Sequence, residues 1–294
     1  MRGADGPIER ENGGAIANIA ILKTAAGAVL VDAGPSLRYG EALARLAKEL
    51  TGGPVVRIYL THLHPDHVYG GASFPPDRIA ATPTLKDVLN RDGRSFSDGM
   101  YRLLGDWMRG TEFQSPGLTV REGQETIGGR SFKLLPLSGH SQSDLALLDE
   151  RTGTLIAGDL VFHDRAPSTP HADLARWRTS LDTLAALGHR RVVPGHGPVD
   201  LTPAGAIRQT RDWIDWLEAT LEQAAADGLG MVEAGALPIP ERFVRLKAAR
   251  YELQRSVAHL YPAIEAKTWP RVDERRDSKL ARSPICTERG APGA

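Results

Sequence analysis

The chain has 294 residues, of which 41% are hydrophobic, and its 36 Lys and Arg residues balance 36 Asp and Glu residues. This length is enough for one large domain whose core does not depend on disulfides. The zero net charge and the lack of a basic amphipathic stretch argue against a nucleic-acid partner and against a membrane partner. The single cysteine, Cys286, excludes an intrachain disulfide and a cysteine zinc site.

The first third of the chain is predicted to contain a hairpin, a helix and a strand. Ala15–Leu22 and Val29–Asp32 are short β-like runs on either side of a turn at Ala25–Gly27. Gly40–Leu50 has the apolar spacing of a helix, and two glycines follow it. Val55–Leu60 is rich in β-branched residues, which favours a strand.

The rest of the chain alternates predicted strands and helices. Strands are predicted at Leu118–Val120, Ser131–Leu137, Leu145–Leu148, Thr154–Ala157 and Arg191–Val193. Helices are predicted at Leu174–Leu187 and Ala206–Ala226, and a helical insertion over the site at Arg91–Phe113. This alternation predicts one α/β (α+β) layered domain over residues 1–265. The charged residues 266–294, with Pro and Gly, are predicted to form a flexible tail.

The stretch Thr61–His67, directly after the strand predicted at Val55–Leu60, carries the strongest chemical signal. Pro65 suits the first turn of a helix, where its missing N–H costs little. We therefore expect two histidines on the loop before Pro65, and an aspartate and a histidine at the start of the helix. These four metal-capable side chains lie within seven residues, and are His62, His64, Asp66 and His67.

Three more metal-capable residues stand at the ends of predicted strands, each beside a glycine that permits a tight turn. They are His140, Asp159 and His196. Strand ends at one edge of a sheet can converge on one pocket. The combined set of five histidines and two aspartates suits two ions that share an aspartate and a hydroxide. Imidazole and carboxylate ligands favour zinc, with iron or manganese as alternatives.

Over residues 13–203 the chain resembles the hydrolases of the metallo-β-lactamase superfamily. The matching pieces are Asp32-x-Gly34, the His62–His67 run, Gly139–Ser141, Gly158-Asp159 and Pro194–Gly197. The resemblance implies an αββα sandwich with metals at one sheet edge. It assigns the first zinc to His62, His64 and His140, and the second zinc to Asp66, His67 and His196, with Asp159 bridging the two.

The resemblance also implies an activity, namely dinuclear zinc hydrolysis in which a metal-bridging hydroxide attacks an ester, thioester, lactone or related bond. Asp66 would then act in catalysis as well as binding metal. Asp32 and Asp144 would not bind metal themselves but would orient the residues that do, although each also suits an ordinary turn residue or a cap. Arg165 and His171 are candidates for binding a substrate anion, and each also suits a solvated loop charge.

Three further segments resemble the quinoprotein relay system zinc metallohydrolases: Asn12–Asn18, Gly34–Gly40 and Ala166–Asp173. Those proteins are mostly exported and are associated with dehydrogenases that carry pyrroloquinoline quinone, which implies a periplasmic or secreted location and a quinoprotein dehydrogenase partner. The chain as given lacks an export signal and the family's strand before Asn12. If the first residue of this sequence is the true start, we therefore expect a cytoplasmic protein. Otherwise, we expect that the start has been placed too late.

Other functions of this fold remain as alternatives. Zinc β-lactamase activity is disfavoured because the zinc β-lactamases of this superfamily used for the comparison have Cys or Ser at the position of Asp159. Diiron redox chemistry is disfavoured because that type has Glu at the position of His64. An iron-dependent persulfide dioxygenase-like oxidoreductase, or a non-catalytic metal-binding partner in a quinoprotein system, stays open. The small-molecule substrate is not identified by any motif.

Overall fold

The structure is a computed structural model, and it describes residues 1–269. Its strands form two five-stranded sheets. The first sheet contains, in spatial order, β1 (Ala20–Thr24), β2 (Gly27–Val31), β3 (Val55–Tyr59), β4 (Ile79–Ala81) and β5 (Leu118–Thr119). β1 and β2 form an antiparallel hairpin, and the remaining pairs are parallel.

The second sheet contains β10 (Arg191–His196), β9 (Thr154–Phe162), β8 (Asp144–Asp149), β7 (Arg130–Leu137) and β6 (Gly123–Ile127), in that order. β9 and β10 are parallel, and the other pairs are antiparallel. β7 is antiparallel to β8, which is antiparallel to β9, so β7, β9 and β10 all run in one direction. Their carboxyl ends therefore lie at the same edge of the sheet.

The two sheets pack face to face, and strand β2 shows how both of its faces are covered. Val29 and Val31 pack between the sheets with Phe132 and Leu147 of the second sheet. The alternate residues of β2 face the other way and belong to the cluster that includes Leu43 of the first helix. A strand covered on both faces is apolar throughout, as β2 is.

Helices cover the outer faces of both sheets. They are α1 (Leu37–Thr51), α2 (Pro65–Val68), α3 (Pro83–Asp92), α4 (Ser95–Leu104), α5 (Leu174–Ala185), α6 (Gly205–Ala226), α7 (Met231–Ala236), α8 (Glu241–Val244) and α9 (Ala249–Thr268). α1, α3 and α4 pack on the first sheet, α5 and α6 on the second, and α7 and α9 on α6. The predicted αββα sandwich is confirmed. Within residues 1–269, no helix combines the length and the apolar character that crossing a membrane requires.

The structure corrects several predicted boundaries. The first strand begins at Ala20 rather than Ala15, because the backbone of Ile16 and Asn18 bonds to the segment around His196 instead of to a strand. β9 continues through Asp159 to Phe162. α9 reaches Thr268, so the predicted domain boundary at residue 265 falls inside a helix. The remainder of the predicted tail, residues 270–294, lies outside the described residues.

Candidate metal centre

The seven predicted metal ligands converge from both sheets into two adjacent groups of buried side chains. Within each group the potential ligand atoms all lie within 4.8 Å of one another. The first group contains His62, His64, His140 and Asp159, and the second contains Asp66, His67 and His196. The convergence follows from the topology, since the carboxyl ends of β3, β7 and β10 and the second half of β9 meet at one edge.

In the first group, three imidazole nitrogens point at a common centre. Nδ1 of His64 lies 2.9 Å from Nε2 of His62 and 2.9 Å from Nε2 of His140. Burial, the largest cause, lowers the pKa of His62 and of His64 well below the usual value, and lowers that of His140 to about 3. These side chains are therefore neutral at pH 7 and have lone pairs available for a metal.

Hydrogen bonds determine which ring nitrogen of His62 carries no proton. The hydroxyl of Thr61 lies 2.8 Å from Oδ2 of Asp32 and 2.9 Å from Nδ1 of His62. A carboxylate only accepts, so the hydroxyl donates its single proton to Asp32 and accepts from Nδ1–H of His62. Nε2 of His62 is left without a proton, and it is the nitrogen that faces His64 and His140.

Asp32 also orients His67 and the loop that carries the histidine run. Its Oδ2 accepts from Nδ1 of His67 at 2.7 Å, and its Oδ1 accepts from the backbone N–H of Thr61 at 2.8 Å. The backbone of Asp32 has a φ of 65°, a left-handed conformation that is unfavourable for a side-chain-bearing residue. Such strain persists where surrounding contacts enforce it, as three bonds to one carboxylate do here.

In the second group, Nε2 of His67 lies 3.5 Å from Oδ2 of Asp66, and Nε2 of His196 lies 3.4 Å from the same oxygen. Asp159 reaches both groups: its Oδ1 is 3.1 Å from Nε2 of His67, and its Oδ2 is 3.4 Å from Nε2 of His140. Burial opposes ionisation of Asp159, but the nearby histidines, His196 first, outweigh it and hold its pKa well below the usual range. Burial acts to lower the pKa of His67, but the carboxylates of Asp159, Asp66 and Asp32 outweigh burial and raise that pKa well above its usual value.

The N-terminal segment supports His196, which sequence reasoning did not anticipate. Nδ1 of His196 donates to the backbone carbonyl of Ile16 at 2.9 Å, leaving Nε2 to face the aspartates. The side-chain amide of buried Asn18 donates to the carbonyls of Pro194 at 2.9 Å and Gly197 at 2.8 Å, on either side of His196. Two signals were available in the sequence, namely the apolar run interrupted by Asn18 and the family resemblance of Asn12–Asn18.

A glycine beside Asp159 makes room for the close approach of β10. A Cβ atom added at Gly195 would lie 1.9 Å from Oδ1 of Asp159. The pairing of β9 with β10 also shifts register on both sides of the preceding residue, between Val193 and Pro194 and between Pro194 and His196. Such irregularities re-aim side chains, and here they accompany the placement of Asp159 and His196 at one centre.

The residues fit a divalent metal pair. Among the described residues, three buried atoms at the centre form no hydrogen bond of normal geometry, although the last two lie 3.1 Å apart: Oδ2 of Asp66, Nε2 of His67 and Oδ1 of Asp159. Buried polar atoms are normally satisfied, and ions are one means of satisfying them. Neutral imidazole nitrogens together with carboxylate oxygens form a donor set that suits zinc and related divalent ions.

Asp144 contacts the turn that carries His140, in accord with its reading as a turn cap. Its Oδ2 accepts from the backbone N–H of Ser141 at 3.0 Å, and its Oδ1 accepts from the Ser141 hydroxyl at 2.8 Å. Burial raises the pKa of Asp144 to about 7, against the lowering effect of these bonds. Asp144 therefore acts on His140 through the turn.

The two residues predicted to bind a substrate anion have partners within the protein. Nη2 of Arg165 donates to Oε1 of Glu252 at 2.9 Å, and both side chains are buried. Nδ1 of His171 lies 2.9 Å from Nε2 of His64. His171 thus contacts the outer nitrogen of a predicted ligand, which orients that ring. Arg165 borders a cavity beside the centre, but its charge is balanced.

This cavity, of about 160 Å³, opens onto both groups. Asp66, Asp159 and His196 line its floor. Its walls come from the N-terminal segment, from α4, from the loop after β9 and from α9. The wall residues are Pro7, Ile8, Ile16, Leu103, Arg165, Ser168, Tyr251 and Arg255. The sequence favoured walls from the insertion Arg91–Phe113 and from helices after His196, but no motif marked α9 or its residues.

Comparisons with known proteins agree with this geometry. A family model described as the metallo-beta-lactamase superfamily matches residues 12–196. The beta-lactamase-like protein 2 homolog of Caenorhabditis elegans is 27% identical over 62% of this chain and 56% of its own length. A probable metallo-hydrolase of Bacillus subtilis is 24% identical over 57% of this chain and 63% of its own length. The chain thus spans only a little over half the length of these curated relatives.

Among solved structures, a metallo-beta-lactamase family protein of Thermus thermophilus superposes with a TM-score of 0.58 over 85% of this chain and 89% of its own, at 23% identity. A metallo-beta-lactamase of Pontibacter korlensis superposes with a TM-score of 0.54 over 66% of this chain and 85% of its own, at 21% identity. At these identities the likeness establishes the fold. Since the family match covers every residue of the two ligand groups, the chain belongs to the metallo-beta-lactamase superfamily.

Proposed function

We propose that the protein is a dinuclear zinc metallohydrolase that cleaves an ester, thioester, lactone or related bond. The observation that carries this proposal is the position of Asp159 between the two ligand groups. One of its oxygens faces His67, and the other faces His140 and His196. A carboxylate placed in this way suits two ions held close together, the arrangement used for metal-assisted hydrolysis.

When bound, paired cations supply a nucleophile from water near neutral pH and polarise the substrate oxygen. The side chains of the protein provide the rest. The histidines of the first group are buried neutral rings whose nitrogens already face one another, and hydrogen bonds fix the tautomer of His62. Asp66 lines the cavity, where its carboxylate can accept a proton from water and return it to the leaving group.

The test is Asp159→Asn, with the exposed Asp215→Asn as its control. Protein purified without added metal is analysed for metal content and for turnover of 4-nitrophenyl acetate and a matched thioester. We expect about two zinc ions per chain in the wild type, as in two-metal sites, and reduced zinc with loss of turnover in Asp159→Asn only. Full zinc and turnover in Asp159→Asn would refute the bridging role. One iron per chain, with oxygen consumed on a persulfide, would favour the oxidoreductase alternative.

We further propose a quinoprotein dehydrogenase as partner, in line with the resemblance of Asn12–Asn18, Gly34–Gly40 and Ala166–Asp173. Ile16 and Ser168, from two of these segments, line the cavity, so the resemblance includes part of the substrate site. Co-elution with a purified dehydrogenase on gel filtration would support the association. Separate elution at micromolar concentration would count against it.

A further inference from the structure

The walls of the cavity differ in chemistry. On one side, Ile8, Ile16 and Leu103 present apolar side chains. On another side, Arg165, Ser168 and Arg255 present hydrogen-bond donors. The only carboxylates that line the cavity within residues 1–269 are Asp66 and Asp159, which belong to the ligand groups. The donor wall therefore has no acidic counterpart inside the cavity itself.

A single buried carboxylate holds both arginines of this wall. Glu252 on α9 is fully buried, and its Oε1 accepts from Nη2 of Arg165 at 2.9 Å. Its Oε2 accepts from Nη1 of Arg255 at 3.4 Å. Two guanidinium groups thus share one carboxylate, which leaves one positive charge in excess. Arg165 is only 2% exposed, whereas Arg255 is 37% exposed, so the excess charge is presented by Arg255.

The contacts of Arg255 leave part of its donor fork available. Its Nη1 contacts the hydroxyl of Ser168 at 3.2 Å as well as Glu252, while Nε and Nη2 make no hydrogen bond to any residue between Met1 and Trp269. The guanidinium carbon lies 5.5 Å from the ring centroid of Tyr251, which helps to fix the side chain. A guanidinium held at one nitrogen and free at two others can bind a carboxylate through a pair of parallel hydrogen bonds.

We propose that Arg255 binds a carboxylate of the substrate, with Ser168 and Glu252 as positioning residues. The substrate would then be a small ester, thioester or lactone with a negative group on its acyl part and a short apolar stretch between. The cavity of about 160 Å³ is large enough to enclose the acyl part of such a substrate, because about 150 Å³ accommodates a molecule such as benzene. The identity of the scissile bond rests on the proposed function, whereas the anion subsite rests on the arginine contacts.

The first test compares two esters of equal chain length, 4-nitrophenyl pentanoate and mono-4-nitrophenyl glutarate, on the zinc-loaded protein with uncatalysed rates subtracted. We expect a higher kcat/KM for the glutarate. Arg255→Gln should lower kcat/KM for the glutarate by about 10- to 100-fold more than for the pentanoate, the range for a charge-assisted hydrogen-bond pair. Arg255→Lys should restore part of the loss. The exposed Arg245→Gln is the control.

The second test does not depend on turnover. Calorimetry measures the binding of the free acids, glutarate with two carboxylates and pentanoate with one, to the zinc-loaded wild type and to zinc-loaded Arg255→Gln. Matched zinc content and thermal unfolding first show that both proteins are folded. We expect glutarate to bind more tightly than pentanoate only in the wild type. If glutarate binding depends on Arg255 but neither ester is hydrolysed, the subsite stands and the proposed function fails. If both esters are hydrolysed equally and Arg255→Gln changes neither, the subsite is wrong.

Discussion

At the scale of single residues, Asp32 organises more of the centre than any other side chain that would not itself bind metal. It holds the Thr61 backbone, the Thr61 hydroxyl and the His67 ring, and through the hydroxyl it also sets the proton on His62. Residues that orient metal ligands commonly affect affinity almost as strongly as the ligands do. The sequence alone could not separate this role from that of an ordinary turn residue.

We predict that Asp32→Ala weakens zinc binding by about 10- to 100-fold, the usual effect of removing a partner behind a ligand. The reason is that the His67 ring loses the acceptor that orients it, and Thr61 loses the acceptor of its backbone N–H and of its hydroxyl. Competition with a chromogenic chelator would measure the affinity. Asp106→Ala is the matched control, since its side chain is 89% exposed and is neither a predicted ligand nor a residue that lines the cavity. Equal affinity in wild type and Asp32→Ala would remove Asp32 from this role.

At the scale of elements, the N-terminal segment acts as a clamp on the loop that carries His196. The side chain of Asn18 forms three hydrogen bonds, to the carbonyls of Pro194 and Gly197 and from the backbone N–H of Gly3. Removing it would leave buried carbonyls without donors. The clamp therefore contributes both to stability and to the position of His196.

We predict that Asn18→Ala lowers the free energy of unfolding by about 1–3 kcal/mol, the range for leaving buried polar groups unsatisfied. Urea unfolding in the presence of a chelator measures this effect without a contribution from bound metal. Asn90→Ala, at an exposed helical position, should change the free energy by less than about 0.5 kcal/mol. Indistinguishable urea midpoints for wild type and Asn18→Ala would show that the clamp does not stabilise the fold.

The elements also show what sequence could and could not predict. The strands before His62, His140 and His196 were predicted because β-branched, apolar runs end at a glycine or at a ligand-type residue. The strand β4 was missed because three apolar residues give no usable period, and β6 was missed because it is mostly polar. The helices α7–α9 were missed because their burial comes from packing on α6. The role of Arg255 was missed because it depends on Glu252, whose partner Arg165 lies on a loop 87 residues away in the sequence.

At the scale of the whole molecule, the metal centre joins the two sheets. His62, His64 and Asp66 follow β3 of the first sheet, whereas His140, Asp159 and His196 lie on or after strands of the second sheet. A bound ion therefore has ligands on both layers. Ions that bind the folded chain more tightly than the unfolded chain stabilise it.

We predict that removing metal with a chelator lowers the Tm and that zinc restores it. At free zinc of about 1,000 times the dissociation constant, binding contributes about 4 kcal/mol. Calorimetric scans before and after chelation, followed by zinc addition, measure the shift. Asp159→Asn should show a smaller zinc-dependent shift than Asp215→Asn. A Tm that is the same with and without zinc would contradict a centre that links the sheets.

The bond between His196 and the carbonyl of Ile16 has a consequence for how the protein tolerates mutation. Every residue type has a backbone carbonyl, so no substitution at position 16 deletes the acceptor that fixes the His196 tautomer. His67, by contrast, depends on the Asp32 side chain, which a single nucleotide change can remove. The two histidines of the second group thus differ in their tolerance of mutation. A substitution at position 32 can remove the partner of His67, whereas no substitution at position 16 can remove the partner of His196.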